Sequence, residues 1–365
     1  MTHSPRPYIL VAVLLVIFGA IYVLEKSSVD RTKLADIISV APRTLSSEEK
    51  EGRYPLAKEI TSPDGFINTD GEPIAINDLI GKKVILIDFW TYSCINCQRT
   101  TPYLNSWYEK YKDQGLVIIG IHTPEFEFEK KYENVLSATE RFGIKFPVVL
   151  DNNFSTWQAY ENRYWPRKYL IDIDGYIVYD HIGEGAYEET EKKIQELLAE
   201  RMEVLGEEGE ITTELTKETE KESRPDSPET YFGAWRNDNF GNGTPRAVGS
   251  QSFYVPVEVE RNKFYLDGVW NITEEYVENV LGGAKIVFRY RASEVNFVAG
   301  AAESVRAKIL VDGVPATGQD VDADGYVTIE AETLYNLVKT EDKEEHTLEI
   351  IPEEGGLQAF TFTFG

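Results

Sequence analysis

The chain has 365 residues, 42% hydrophobic and 12% aromatic, with 62 Asp and Glu against 37 Lys and Arg for a formal charge of -25. That length exceeds what one hydrophobic core serves, and that apolar content excludes a chain disordered throughout, so two folded domains with connecting segments are expected. The acidic excess repels phosphate backbones and excludes nucleic acid as a partner, while two cysteines and four scattered histidines exclude a disulfide framework and a four-thiolate metal centre.

Residues 1–7 form a short tail, and residues 8–24 (YILVAVLLVIFGAIYVL) carry no charge. At ~1.5 Å per residue that run just spans a bilayer core of roughly 30 Å. No A-x-A-like cleavage site precedes Glu25, which favours one uncleaved transmembrane helix over a removable signal peptide. Arg6 places the short side in the cytoplasm, although Lys26, Arg31 and Lys33 beyond the span weaken that signal. Residues 25–60 lack periodicity and read as a stalk.

From 61 to 203 apolar strands alternate with amphipathic stretches, the pattern of an α/β domain. Strands are predicted over 83–89, 116–121, 146–150, 168–173 and 176–181, and helices after Cys94 and over 129–142, 155–160 and 187–201. Residues 204–229 are polar and acidic and read as a solvated linker. Within 230–365 the segments 254–259, 285–290, 305–311, 346–350 and 358–364 alternate in period two, with turn signals such as Asp312-Gly313, which predicts an antiparallel β-sandwich.

The chemistry concentrates in VILIDFWTYSCINC, where an apolar strand runs into Cys94-Ile95-Asn96-Cys97 and a helix follows. At a helix N-terminus free backbone N–H groups and the positive end of the helix dipole stabilise a thiolate, which makes Cys94 the nucleophile and Cys97, one turn inside, the resolving thiol. Thiol exchange then proceeds through a mixed disulfide to an intramolecular bridge. Structural or zinc-binding thiols would need partner ligands that the sequence does not offer. Asp88 is the one charge in the apolar stretch 84–89 before the cysteines, and burial of a carboxyl there raises its pKa toward a value suited to proton transfer with Cys97; structural hydrogen bonding is the alternative. His122 and Glu125 follow a strand whose C-terminal end faces the same edge, as auxiliary groups or as loop hydrogen-bond partners.

Strand, Cys-x-x-Cys, helix and a later Trp165-Pro166 resemble the thioredoxin superfamily, and HTPEFEFEK, YWPRKYLIDIDG and HIGEGAYEETE resemble the extracytoplasmic part of its membrane-associated TlpA/DipZ type. The resemblance covers residues 65 to 365. It implies a thioredoxin-like domain followed by a jelly-roll-like, carbohydrate-binding-like sandwich. It also implies a cis Pro166 beside the cysteines, Trp165 backbone free to pair with substrate, and a substrate-contacting rim of Trp90, Tyr92 and Ser93. Pro102 falls where thioredoxins kink the active-site helix. The implied partners are protein thiols and disulfides, a membrane electron donor of the CcdA type and a glycan at the second domain, where Tyr231, Phe232, Trp235, Phe240, Tyr265 and Trp270 are the candidate stacking residues. No cofactor or metal beyond the cysteine pair is expected. Two alternatives stay open: a peroxiredoxin-like peroxidase, for which Thr91 is placed but Ile87 stands where that motif has proline, and a non-catalytic glycan- or partner-binding protein.

Overall fold

The computed structural model describes residues 47–217, 226–341 and 343–365. The expected tail, the expected span over 8–24 and most of the expected stalk lie outside them. Among the described residues no helix is long and apolar enough to cross a membrane. Helix α1 (Ser47–Glu51) is a single short turn, and Arg53–Gly365 forms one unit built of two sheets.

The first sheet has six strands: β1 (Gly65–Ile67), β2 (Val84–Trp90), β3 (Leu116–His122), β4 (Val148–Leu150), β5 (Arg167–Ile171) and β6 (Ile177–Ile182). Their order is β1-β4-β3-β2-β5-β6, with β2, β3 and β4 parallel and β1, β5 and β6 antiparallel to their neighbours. Every residue of β2 is buried, because both faces of the sheet are covered, and this is why VILIDFW reads as a continuous apolar run rather than an alternating one. Helices α2 (Ile95–Tyr111), α3 (Tyr132–Arg141) and α5 (Tyr187–Leu205) share the core on one face through Trp107, Val135 and Ile194. Helix α4 (Ser155–Ala159) closes the other face with Trp157.

In and beside this domain three expectations are corrected. The helix expected over 129–142 is split into a 3-10 turn, Glu127–Lys130, and α3, because the Glu129 side chain turns back onto the backbone N–H groups before it. Residues 55–60, expected in the stalk, belong to this domain: Ala57 N–H donates to Gly175 at 2.9 Å, Ile177 N–H donates to Pro55 at 2.9 Å, and Glu59 accepts from Ile76 and Asn77. Residues 211–216, expected to be solvated linker, lie along α2 and α5. There Thr216 N–H donates to Glu191 at 2.7 Å and the Lys110 ammonium donates to the Glu214 carbonyl at 2.7 Å, because the poorly exposed Glu191 carboxylate draws donors to itself.

The second domain is all-β. Its strands are β7 (Thr230–Tyr231), β8 (Gly249–Phe253), β9 (Phe264–Ile272), β10 (Val277–Asn279), β11 (Lys285–Arg291) and β12 (Glu294–Gly300). They continue as β13 (Val305–Val311), β14 (Val314–Pro315), β15 (Tyr326–Ile329), β16 (Thr333–Lys339), β17 (Glu345–Pro352) and β18 (Gln358–Phe364). The main path is β14-β13-β17-β11-β9-β10-β18-β12-β16, and its two halves face each other across a core in which Phe288 of β11 meets Phe362 of β18 at 5.4 Å. Asp312 (φ 51) and Gly313 (φ 81) turn β13 into β14 as their sequence implied. No strand forms over 254–259: Pro256 has no N–H for a ladder, Tyr254 and Val257 are exposed, and the strand lies just before, at β8.

The two domains share apolar packing. Val298 of β12 and Phe360 of β18 join the core of the first domain, where Phe360 meets Phe126 at 5.2 Å and Phe128 at 4.8 Å. Arg99 of α2 pairs with Glu294 at 2.9 Å, and Lys131 pairs with Glu332 at 2.6 Å.

Candidate active site

β2 delivers the chain to the edge of the sheet, and a three-residue turn sets Cys94 as the N-cap of α2 in an extended conformation. Its Sγ accepts the Cys97 N–H at 3.4 Å, which is the contact that stabilises a thiolate at a helix start. Both thiols are free; Cys94 is half-buried and Cys97 buried. Burial first, then the neighbouring Cys94 and Asp88, push the Cys97 thiol well above its ordinary value.

Behind the pair, Asp88 lies mid-strand with 2% exposure, and its Oδ1 has no hydrogen-bond partner. Burial pushes its carboxyl up to about 7, against a smaller lowering by Lys168. Lys168 stands opposite Asp88 in the β2–β5 register, is fully buried, and donates to the Gly183 carbonyl at 3.2 Å. Burial lowers its own pKa. A thiol, a carboxyl that burial raises to about 7 and a buried lysine thus lie together beneath the nucleophile, an arrangement able to hold and move a proton.

The expected rim divides. Ser93 lines the opening at Cys94, and Trp165 does so from across it, anchored by donation from Nε1 to the Thr123 carbonyl at 3.0 Å; the Trp165–Pro166 bond is cis. Trp90 and Tyr92 are instead buried, Trp90 edge-on to His122 at 5.1 Å and Tyr92 stacked on it at 5.7 Å, with the Tyr92 hydroxyl donating to the Glu332 carbonyl of the second domain. Trp90 packs the site from below because it ends a strand with core on both faces, and Tyr92, in the turn, because its ring packs between His122 and Phe128. His122 is also buried; burial lowers its pKa to about 3, so its ring is neutral, and its Nε2 lies 3.4 Å from the Thr91 hydroxyl. Glu125 reaches the opening, where it accepts from the Tyr231 hydroxyl at 2.8 Å and pairs with Arg236 at 2.6 Å, both from the second domain.

Sequence reading missed Lys168, Glu129 and Arg236. Glu129 is fully buried: one oxygen accepts the Ser93 hydroxyl at 2.6 Å and the Ser93 N–H at 3.3 Å, and the other accepts the Glu125 and Phe126 N–H groups at 2.5 and 3.0 Å. Burial, with Glu125 adding to it, raises its carboxyl to about 7. Nothing local marks it out, because EFEFEK carries Glu125, Glu127 and Glu129 alike, and the fold alone decides which of them is buried. Of the six aromatics proposed for sugar stacking, Phe232, Phe240, Tyr265 and Trp270 are core, Tyr231 faces the cysteines, and Trp235 is exposed. Among the described residues one group of carboxylates, Asp172, Asp174 and Glu200, brings ligand atoms within 4.8 Å of one another, but Asp172 Oδ1 accepts the Asp174 and Tyr176 N–H groups and so serves a turn.

Cys94 opens into a cleft of 390 Å³ between the domains, walled by Glu125, Tyr164 and Trp165 on its own side and by Ser227, Tyr231, Arg236, Thr363 and Phe364 on the other.

The Redoxin family matches residues 55–198, and a family described as a thioredoxin-like C-terminal domain matches residues 227–365. Protein DipZ of Mycobacterium tuberculosis is 38% identical over 321 residues, which is 87% of this chain and 43% of that protein, so the chain spans less than half the length of that relative. Thiol-disulfide oxidoreductase ResA of Bacillus cereus is 35% identical over 134 residues, 36% of this chain and 74% of that protein. Thiol-disulfide oxidoreductase YkuV of Bacillus subtilis is 30% identical over 148 residues, 40% of this chain and 97% of that protein. With a cysteine pair at the mouth of a thioredoxin-like sheet and these relatives, the chain belongs to the thioredoxin superfamily, among the DipZ/TlpA-type thiol-disulfide oxidoreductases.

Proposed function

We propose that the chain reduces disulfides of proteins outside the cytoplasmic membrane, held there by residues 8–24. The observation that supports this best is the placement of Cys94 at the start of α2, open to the cleft, with Cys97 buried behind it over Asp88. The Cys94 thiolate attacks a substrate disulfide, forming a mixed disulfide and releasing one substrate thiolate. Cys97 gives its proton to Asp88 and attacks the Cys94 sulfur, releasing the second thiolate and leaving a Cys94–Cys97 bond. Two electrons have then passed to the substrate, and no cofactor is needed. A membrane donor of the CcdA type, presenting a dithiol, restores the pair.

A peroxidase reading is weaker, because Thr91, where a peroxidatic threonine would stand, is fully buried against His122. Reduction of a protein disulfide by the chain, with dithiothreitol as electron source, tests the reading: activity should fall to background in Cys94→Ser. Peroxide turnover that survives Cys97→Ser, with no disulfide reduction, would replace it. Protease added to spheroplasts should digest the second domain; its protection would overturn the external location.

A further inference from the structure

The second domain stands directly over the nucleophile. Tyr231, Arg236, Thr363 and Phe364 face Cys94 across the cleft, and the wall they form is braced on the redox loop itself. The Arg236 guanidinium lies 3.6 Å from the Tyr231 ring centre, and both side chains bind Glu125, whose own N–H is held by Glu129, which in turn holds Ser93 beside Cys94. Tyr92, two residues before the nucleophile, is tied to the second domain through the Glu332 carbonyl at 3.1 Å. The wall has no freedom to swing aside as a body, because Val298 and Phe360 are buried in the core of the first domain. Whatever reacts with Cys94 must therefore fit the cleft as it stands.

The opening is bounded on one side by Glu125, Tyr164 and Trp165 and on the other by Tyr231, Arg236 and Phe364, so a disulfide reaches Cys94 by entering between the two domains. We infer that the second domain is a size-selecting wall of the active site, which admits a cysteine disulfide carried on a slim extended segment, as in a short peptide, an unfolded chain or a projecting loop. It turns away a disulfide set flush in a folded surface, whose flanks would strike Tyr231 and Arg236 before its sulfur reached Cys94. This inference rests on the oxidoreductase reading and names the class of substrate that the site takes. The chemistry of the step is unchanged: the Cys94–substrate bond forms as the substrate S–S bond breaks, and two electrons pass from the dithiol.

The test uses the reduced full chain and two probes, oxidised glycyl-cysteinyl-glycine and a folded protein whose single disulfide lies flush with its surface. Each rate is divided by that of dithiothreitol on the same probe, so that the intrinsic reactivity of the disulfides cancels. The normalised rate should favour the peptide by about tenfold or more, since exchange depends on access. Arg236→Ala, which trims an exposed part of the wall, and Tyr231→Ala, which trims its centre, should shrink that ratio. Equal normalised rates in the unaltered chain, or a ratio that neither variant changes, would overturn the wall while leaving the oxidoreductase reading intact. Failure of both probes to react would overturn the two together.

Discussion

Asp88 sits within β2 almost wholly buried, and burial holds its carboxyl at about 7 against an ordinary 3.8. Between those values the native chain keeps a proton that the unfolded chain has released, so this group makes stability fall as pH rises from about 4 to about 7, and the loss is complete above that. A shift of this size is on the order of 4 kcal/mol. Asp88→Asn removes the titration, so its stability advantage over the unaltered chain should grow across that window and level off above pH 7. Urea midpoints at pH 4.5, 6 and 8 check this, and a difference independent of pH would contradict it. The same substitution should slow the resolving step by about 100-fold, the scale of a lost proton acceptor. Asp88 was legible as the lone charge of an apolar strand. Lys168 was not, because its meaning depends on the antiparallel β2–β5 register that sets it opposite Asp88, and nothing local to its segment reveals that pairing. Trp90 and Tyr92 misled for a related reason: their position in the chain put them beside the nucleophile, whereas the covered sheet put their rings beneath it.

The elements that present the site are β2, the turn 91–93, α2 and the loop between β3 and α3. The first three were legible because an apolar run, a Cys-x-x-Cys and a helix follow one another directly. The loop was not, since its shape comes from one buried carboxylate, Glu129, taking donors from two separate segments. Glu129→Ala should leave the Ser93 and Glu125 N–H groups unsatisfied and cost about 3 kcal/mol of stability, with the alkylation rate of Cys94 altered as its turn loosens. Thermal unfolding and a timed alkylation would show both effects. A change under about 0.5 kcal/mol, the scale of an ordinary surface substitution, would deny Glu129 this role. Strand β9 escaped prediction because Gly268, at φ 87, interrupts its alternation.

Across the whole molecule, the change from mixed to purely two-residue periodicity revealed two domains, but not that they share a core. The sharing depends on an irregularity in β18: the β12–β18 pairing passes from Thr361 to Ala359, leaving Phe360 without a partner on β12, and its ring packs in the first domain's core while Phe362 fills the sandwich. A bulge re-aims a side chain in this way and leaves no mark in composition. Phe360→Ala should cost about 3–5 kcal/mol, and residues 53–365 should unfold as one transition whether tracked by probes in the first domain or the second. Two separated transitions would contradict the shared core. Mass spectrometry of trapped mixed disulfides in cells tests most directly whether Cys94 attacks and Cys97 resolves. Cys97→Ala should accumulate covalent adducts through Cys94, and Cys94→Ala should accumulate none. Adducts formed through Cys97 in the second variant, or none in the first, would contradict this assignment.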